Sequence, residues 1–130
     1  MKKLLLTLML AVVSTSAMAE WVEITMTYEG TITVYVDPAT IRKSGNNVKM
    51  WRLADFNSVQ EDHGDKFLSS KSQHEFDCKE EQKRTLYFSW HSENMGGGDV
   101  VYIGDEPQKN WSPVAPNTIG RTIWEFACGK

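Results

Sequence analysis

Asn117-Thr118-Ile119-Gly120-Arg121-Thr122-Ile123-Trp124-Glu125-Phe126-Ala127-Cys128-Gly129-Lys130 is the stretch on which the fold turns, because the hydrophobic period changes there. Ile119, Ile123, Phe126 and Ala127 recur at helical spacing, and Trp124 and Cys128 stand four apart on an adjoining stripe. Strand alternation fails at Glu125. Asn117 or Thr118 can cap the start, and Gly129 lies just past the end, where a left-handed residue closes a helix. The stretch therefore predicts a short C-terminal helix whose last turn carries a cysteine.

Upstream, the period is two. Val22, Ile24 and Met26 alternate with Glu23 and Thr25, and Ile32, Val34 and Val36 alternate with Thr33 and Tyr35. The Tyr28-Glu29-Gly30-Thr31 turn between them makes the two runs a hairpin. Asp37-Pro38-Ala39-Thr40-Ile41 predicts one helical turn, with Asp37 as cap and Pro38 in the first helical position. Ser44-Gly45-Asn46-Asn47 is a turn leading into a strand over 48–56. Residues 57–66 are polar and read as a loop. Lys66 to Cys78 reads as a strand of weak periodicity, and Arg84 to His91 as a clear one, with Leu86, Phe88 and Trp90 on one face. Asn94-Met95-Gly96-Gly97-Gly98 is a turn before a last short strand, Asp99 to Ile103. The expected fold class is α+β and predominantly antiparallel β. About six strands form a sheet, and the C-terminal helix packs on one face.

The first residues set the compartment. Lys2 and Lys3, an apolar run from Leu4 to Val13, and Ala17-Met18-Ala19 form the three parts of a cleavable signal peptide, 1–19, with cleavage before Glu20. The run is short for a bilayer span, and neither cysteine stands at the cleavage site to accept a lipid, so no stable membrane anchor is expected. The expected product is a single domain, 20–130, soluble in the periplasm or secreted. Without Lys2 and Lys3, 12 basic residues face 17 acidic ones, a net charge of −5 that offers nucleic acid no general attraction. Lys79, Lys83 and Arg84 alternate with Glu80 and Glu81 and read as a solvated face. Cys78 and Cys128 are the only cysteines, so an intramolecular disulfide in an oxidising compartment must join them. That bond closes a 51-residue loop, for which the loop-entropy relation gives roughly 4 kcal/mol. It would clip the predicted helix to the end of a strand.

Chemistry-bearing constellations are sparse. His63, His74 and His91 lack the short spacings of metal ligands, so no metal or other cofactor is assigned. Gly96-Gly97-Gly98 precedes an apolar strand rather than a helix, so it reads as a turn and not a phosphate cradle. The Glu80-Glu81 and Glu61-Asp62 pairs sit in polar surroundings that give no reason for shifted acidity, and no nucleophile–base pair can be read from residue order. No catalytic residue is assigned, and the chain is expected not to be an enzyme. Among five tryptophans, Trp90 and Trp124 fall on faces expected to be buried. Trp111, in a Pro- and Asn-rich loop, and Trp21, at the head of the first strand, are the candidate contact residues for a protein partner.

Tyr35-Val36-Asp37-Pro38 with Ile41-Arg42, Val48-Lys49-Met50-Trp51, and Ser69 to Lys71 leading to Glu75-Phe76-Asp77-Cys78 resemble the surface-adhesin protein E family. So do Met95-Gly96-Gly97-Gly98 and the late pattern of Trp111, Pro113-Val114, Pro116 and Cys128. The resemblance implies a six-stranded antiparallel sheet with a disulfide-tethered C-terminal helix, and homodimers. It also implies binding of extracellular matrix proteins such as vitronectin and laminin, or of plasminogen, with haem binding attributed to the adhesin as well. That adhesin is lipid-anchored, and the absence of a lipid-accepting cysteine here separates this chain from it. The leading expectation is an exported non-enzymatic protein-binding module. Its rivals are a periplasmic carrier of a small apolar ligand or haem, which needs a pocket between helix and sheet, and an inhibitor of an exported hydrolase.

Overall fold

A computed structural model describes residues 20–130; the expected signal peptide, residues 1–19, lies outside the described residues. Strands β1 (Val22–Thr27), β2 (Ile32–Ser44), β3 (Asn47–Asp62), β4 (Asp65–Asp77), β5 (Gln82–His91) and β6 (Val100–Gly104) form an antiparallel meander in sequence order. A two-residue strand, β7 (Ser112–Pro113), pairs with Gln82 and Lys83 at the start of β5. The chain then closes with helix α1 (Ile119–Cys128). The α+β architecture and the C-terminal helix agree with the period change at residue 117.

Each hairpin follows from its turn residues. Between β3 and β4, Asp62 opposes Asp65 across His63 (φ 50°) and Gly64 (φ 86°), a turn whose twist matches that of the strands it joins. Thr118 caps α1 by accepting the Arg121 N–H at 3.1 Å. Gly129, at φ 68°, ends it, with the Lys130 N–H returning to the Glu125 carbonyl at 2.9 Å.

Helix α1 covers only part of one face of the sheet. There Val34, Val36, Val48, Met50 and Phe76 meet Ile123, Trp124 and Ala127, and Val114 joins them from the approach to the helix. Trp124 is 1% exposed, and its indole N–H donates to the Asp77 carbonyl at 3.0 Å. One turn later Cys128 is bonded to Cys78, with the two Cα atoms 5.7 Å apart. Asp77, the last residue of β4, and Cys78, just past it, thus hold successive turns of the helix. Arg121 adds a third tie, an ion pair to Glu81 at 2.9 Å.

Two local expectations are corrected. Residues 37–41 form no helical turn. They are an irregularity inside β2, where the register to β3 shifts between Asp37 and Arg42. Asp37 still accepts the Ala39 N–H at 3.1 Å, the local bond expected of a cap. Here the Thr40 hydroxyl accepts the Trp51 N–H at 3.0 Å and keeps the chain in the sheet. Residues 57–62 are strand rather than loop, because β3 and β4 run on as a polar hairpin beyond the core, joined by backbone hydrogen bonds that leave no hydrophobic alternation to read.

Candidate functional site

Cross-strand register assigns each side chain to a face. Val34, Ala54, Ser70, Trp90 and Tyr102 form one row across β2 to β6, and Val36, Arg52, Ser72, Phe88 and Gly104 form the next. Both rows belong to the face that carries α1. The β5 and β6 end of these rows, beyond the helix, is aromatic. Phe67 stacks on Trp90 at 4.4 Å between ring centroids, Trp90 lies 4.7 Å from Tyr102, and Tyr102 stacks on Phe88 at 5.7 Å. Phe56 closes edge-on against Phe67 at 5.8 Å.

This surface is open. Tyr102 is 44% exposed, and Phe88 and Trp90 are half-buried. A groove of about 400 Å³ runs between Phe88, Trp90 and Tyr102 and the turn residues Asp62, His63 and Asp65. Past Tyr102 it meets a second hollow bounded by Ile103, Gly104, Asp105 and Glu106. Gly104 is required where it stands, since a Cβ there would overlap the Phe88 ring. Sequence alternation placed Trp90 on a buried face; the helix stops short of it, and the ring is half-exposed instead.

The opposite face is closed by the Gly-rich turn. Asp55 accepts the Met95 N–H at 2.9 Å and an Asn94 side-chain N–H at 3.0 Å. The Ser69 hydroxyl accepts the Gly96 N–H at 2.9 Å and donates to the Glu93 carbonyl at 2.6 Å. The turn is bonded to the sheet, and Ser69 and His91 are buried beside it. At the outer edge, Trp111 packs under Arg84, whose guanidinium lies 4.6 Å from the ring and pairs with Glu75 at 2.6 Å. Trp21, by contrast, lines a shallow hollow of about 280 Å³ with Asp37, Thr40, Trp51 and Lys71. Trp21 neighbours Trp51 and Lys71, whereas Trp111 neighbours Arg84, so the two candidate contact residues share no lining residue.

The histidines do not converge either. His74 lies on the helix-bearing face and His91 on the other, while His63 is exposed and paired with Asp62. Among the described residues no three His, Cys, Asp or Glu side chains gather as metal ligands. Burial, with Arg52 and Lys83 nearby, holds the His74 ring well below the ordinary histidine pKa of 6.5. Burial and Lys71 lower His91 as well. Folded His74 stays neutral where the unfolded chain takes up a proton, so this part of the stability is fully present above about pH 6.5 and is lost as pH falls below it. The slope approaches about 1.4 kcal/mol per pH unit for one such group. Urea unfolding between pH 7.5 and 5 should show this decline, and His74→Gln should remove the larger part of it. An unchanged slope in that variant would contradict the assignment.

The space between helix and sheet is filled. Trp124, Ile123, Phe76 and Met50 are each 1% exposed, which leaves no room there for a carried ligand. Among the described residues no helix is long and apolar enough to cross a membrane.

Comparison with known proteins follows the same lines. The structure resembles crystal form II of Haemophilus influenzae protein E, with a TM-score of 0.65 at 12% identity, covering 82% of this chain and 87% of that one. It also resembles a second structure of protein E from non-typeable Haemophilus influenzae, with a TM-score of 0.63 at 12% identity, covering 88% of this chain and 79% of that one. At such identities the likeness is one of fold. No curated protein matches the sequence. The family description surface-adhesin protein E matches residues 21–129, nearly all of the described chain. The chain therefore belongs to the surface-adhesin protein E family.

Proposed function

We propose that this chain is an exported, non-enzymatic protein-binding module that takes an extracellular protein on the open aromatic half of its helix-bearing face. The observation that carries the reading is the ring surface of Trp90, Tyr102 and Phe88, backed by the buried Phe67, beyond the edge of α1. Aromatic side chains exposed together on a rigid sheet present large contact area at small entropic cost, and Trp and Tyr dominate measured interface hot spots. Membership in a family of surface adhesins supports export and adhesion, and the Cys78–Cys128 bond suits an oxidising compartment. Matrix proteins and plasminogen are the partners proposed first. Trp111 and Trp21 are secondary contacts in this reading, because each is half-buried and removed from the aromatic surface.

The test is binding to immobilised vitronectin, laminin and plasminogen by wild type, Tyr102→Ala, Trp90→Ala and Trp111→Ala. Loss of a hot-spot residue costs 2 kcal/mol or more, about 30-fold in affinity. Tyr102→Ala and Trp90→Ala should weaken binding by at least about that factor, and Trp111→Ala by far less. Equal binding by all four proteins, or none by wild type, would overturn the proposal.

A further inference from the structure

A second feature of the helix-bearing face is electrostatic. Arg52 opposes Val36 on one side and Ser72 on the other, in the row that ends at Phe88. Its Nε is fully buried and has no hydrogen-bond partner. Lys83 opposes Phe76 on the same face, half-buried, and its ammonium group lies against Gly120 in the first turn of α1. A position created there for a Cβ would stand 3.1 Å from Nζ. The four ion pairs among the described residues join Asp62 with His63, Glu75 with Arg84, and Glu81 and Glu125 with Arg121; none reaches Arg52 or Lys83.

Two cations thus stand on one face of the sheet with no carboxylate paired to either, and one of them abuts the positive end of a helix. His74, between them and buried, is kept neutral. Uncompensated charge in such surroundings is strongly unfavourable, and a guanidinium in this setting is matched by an oxyanion that accepts its fork of N–H groups. The hydroxyl group of Ser72, opposite Arg52, can donate to the same ligand, while that of Thr85 lies 3.4 Å from the His74 Nδ1. The lysines and arginines counted as a solvated face in the sequence therefore divide. Lys79 stays exposed, Arg84 pairs with Glu75, and Lys83 turns inward.

We propose that Arg52 and Lys83 form a binding site for an oxyanion, a phosphate or carboxylate group, on the helix-bearing face beside the first turn of α1. The site is independent of the aromatic surface and of the protein partner proposed for it.

The experiment is thermal unfolding of the full domain in low-millimolar sodium phosphate or sodium acetate, each against sodium chloride at matched ionic strength. At these concentrations general salting-out is negligible. A saturating rise in Tm on the order of 5 °C is expected with at least one of the two anions, and the one that acts identifies the ligand class. Arg52→Met and Lys83→Met should each abolish the rise, whereas Arg42→Gln, at an exposed cation, should keep it. No rise beyond chloride, or the same rise in Arg52→Met, overturns the proposal. Should Arg52→Met fail to fold, the wild-type His74 ring supplies the readout by NMR titration. A bound anion offsets the neighbouring positive charge and moves the His74 pKa upward, and no movement overturns the site.

Discussion

Trp124→Ala should destabilise the domain by about 3–5 kcal/mol, the range measured when a buried aromatic is truncated, with about 1 kcal/mol more for the hydrogen bond it makes. The indole is 1% exposed and fills the space between α1 and the sheet, against a core that includes Phe76 and Met50. It also satisfies the Asp77 carbonyl at the end of β4. A domain of this size has a total stability of about 5–15 kcal/mol, so the variant should lose roughly 15 °C or more in Tm. Trp124→Phe keeps most of the ring volume and loses the N–H, and should fall well short of that loss. Urea and thermal unfolding of the two variants separate packing from hydrogen bonding.

Removal of the disulfide is the second large effect. Cys78 and Cys128 are 50 positions apart, and cross-linking a loop of that length restricts the unfolded chain by roughly 4 kcal/mol. The double variant Cys78→Ser, Cys128→Ser should lose a comparable amount. Its effect should be less than additive with Trp124→Ala, since both changes release the same helix from the consecutive residues Asp77 and Cys78. Fully additive losses would mean that the two contacts stabilise different parts of the molecule.

Much of this was legible in the sequence, for identifiable reasons. The helix announced itself through Ile119, Ile123 and Ala127, because amphipathic period, cap and Gly129 stop all agree. The disulfide followed from cysteine count. The β3–β4 hairpin beyond residue 56 stayed hidden, since a strand exposed on both faces carries no alternation, and backbone pairing leaves no mark on side-chain choice. The Asp37–Ile41 segment misled because Asp-Pro suits a helix start and a strand irregularity equally well. For the candidate site, alternation correctly put Phe88 and Trp90 on one face with the helix. What it could not supply was the extent of α1, ten residues long, which covers β5 and β6 too little to bury those rings. Arg52 and Lys83 were illegible for a different reason. Their lack of partners is a property of three-dimensional neighbours, and nothing in residue order marks a cation as unpaired.

The central claim is that α1 is a clip, held at its last turn by Cys128, which closes one half of a sheet face and leaves the aromatic half open. Hydrogen exchange of Cys128→Ser against wild type tests it most directly. Amides of residues 117–130 should exchange faster by orders of magnitude and by clearly more than those of β3 and β4, whose protection falls only with the global stability. Unchanged exchange across 117–130, or a rise there no larger than that through the sheet, would contradict it.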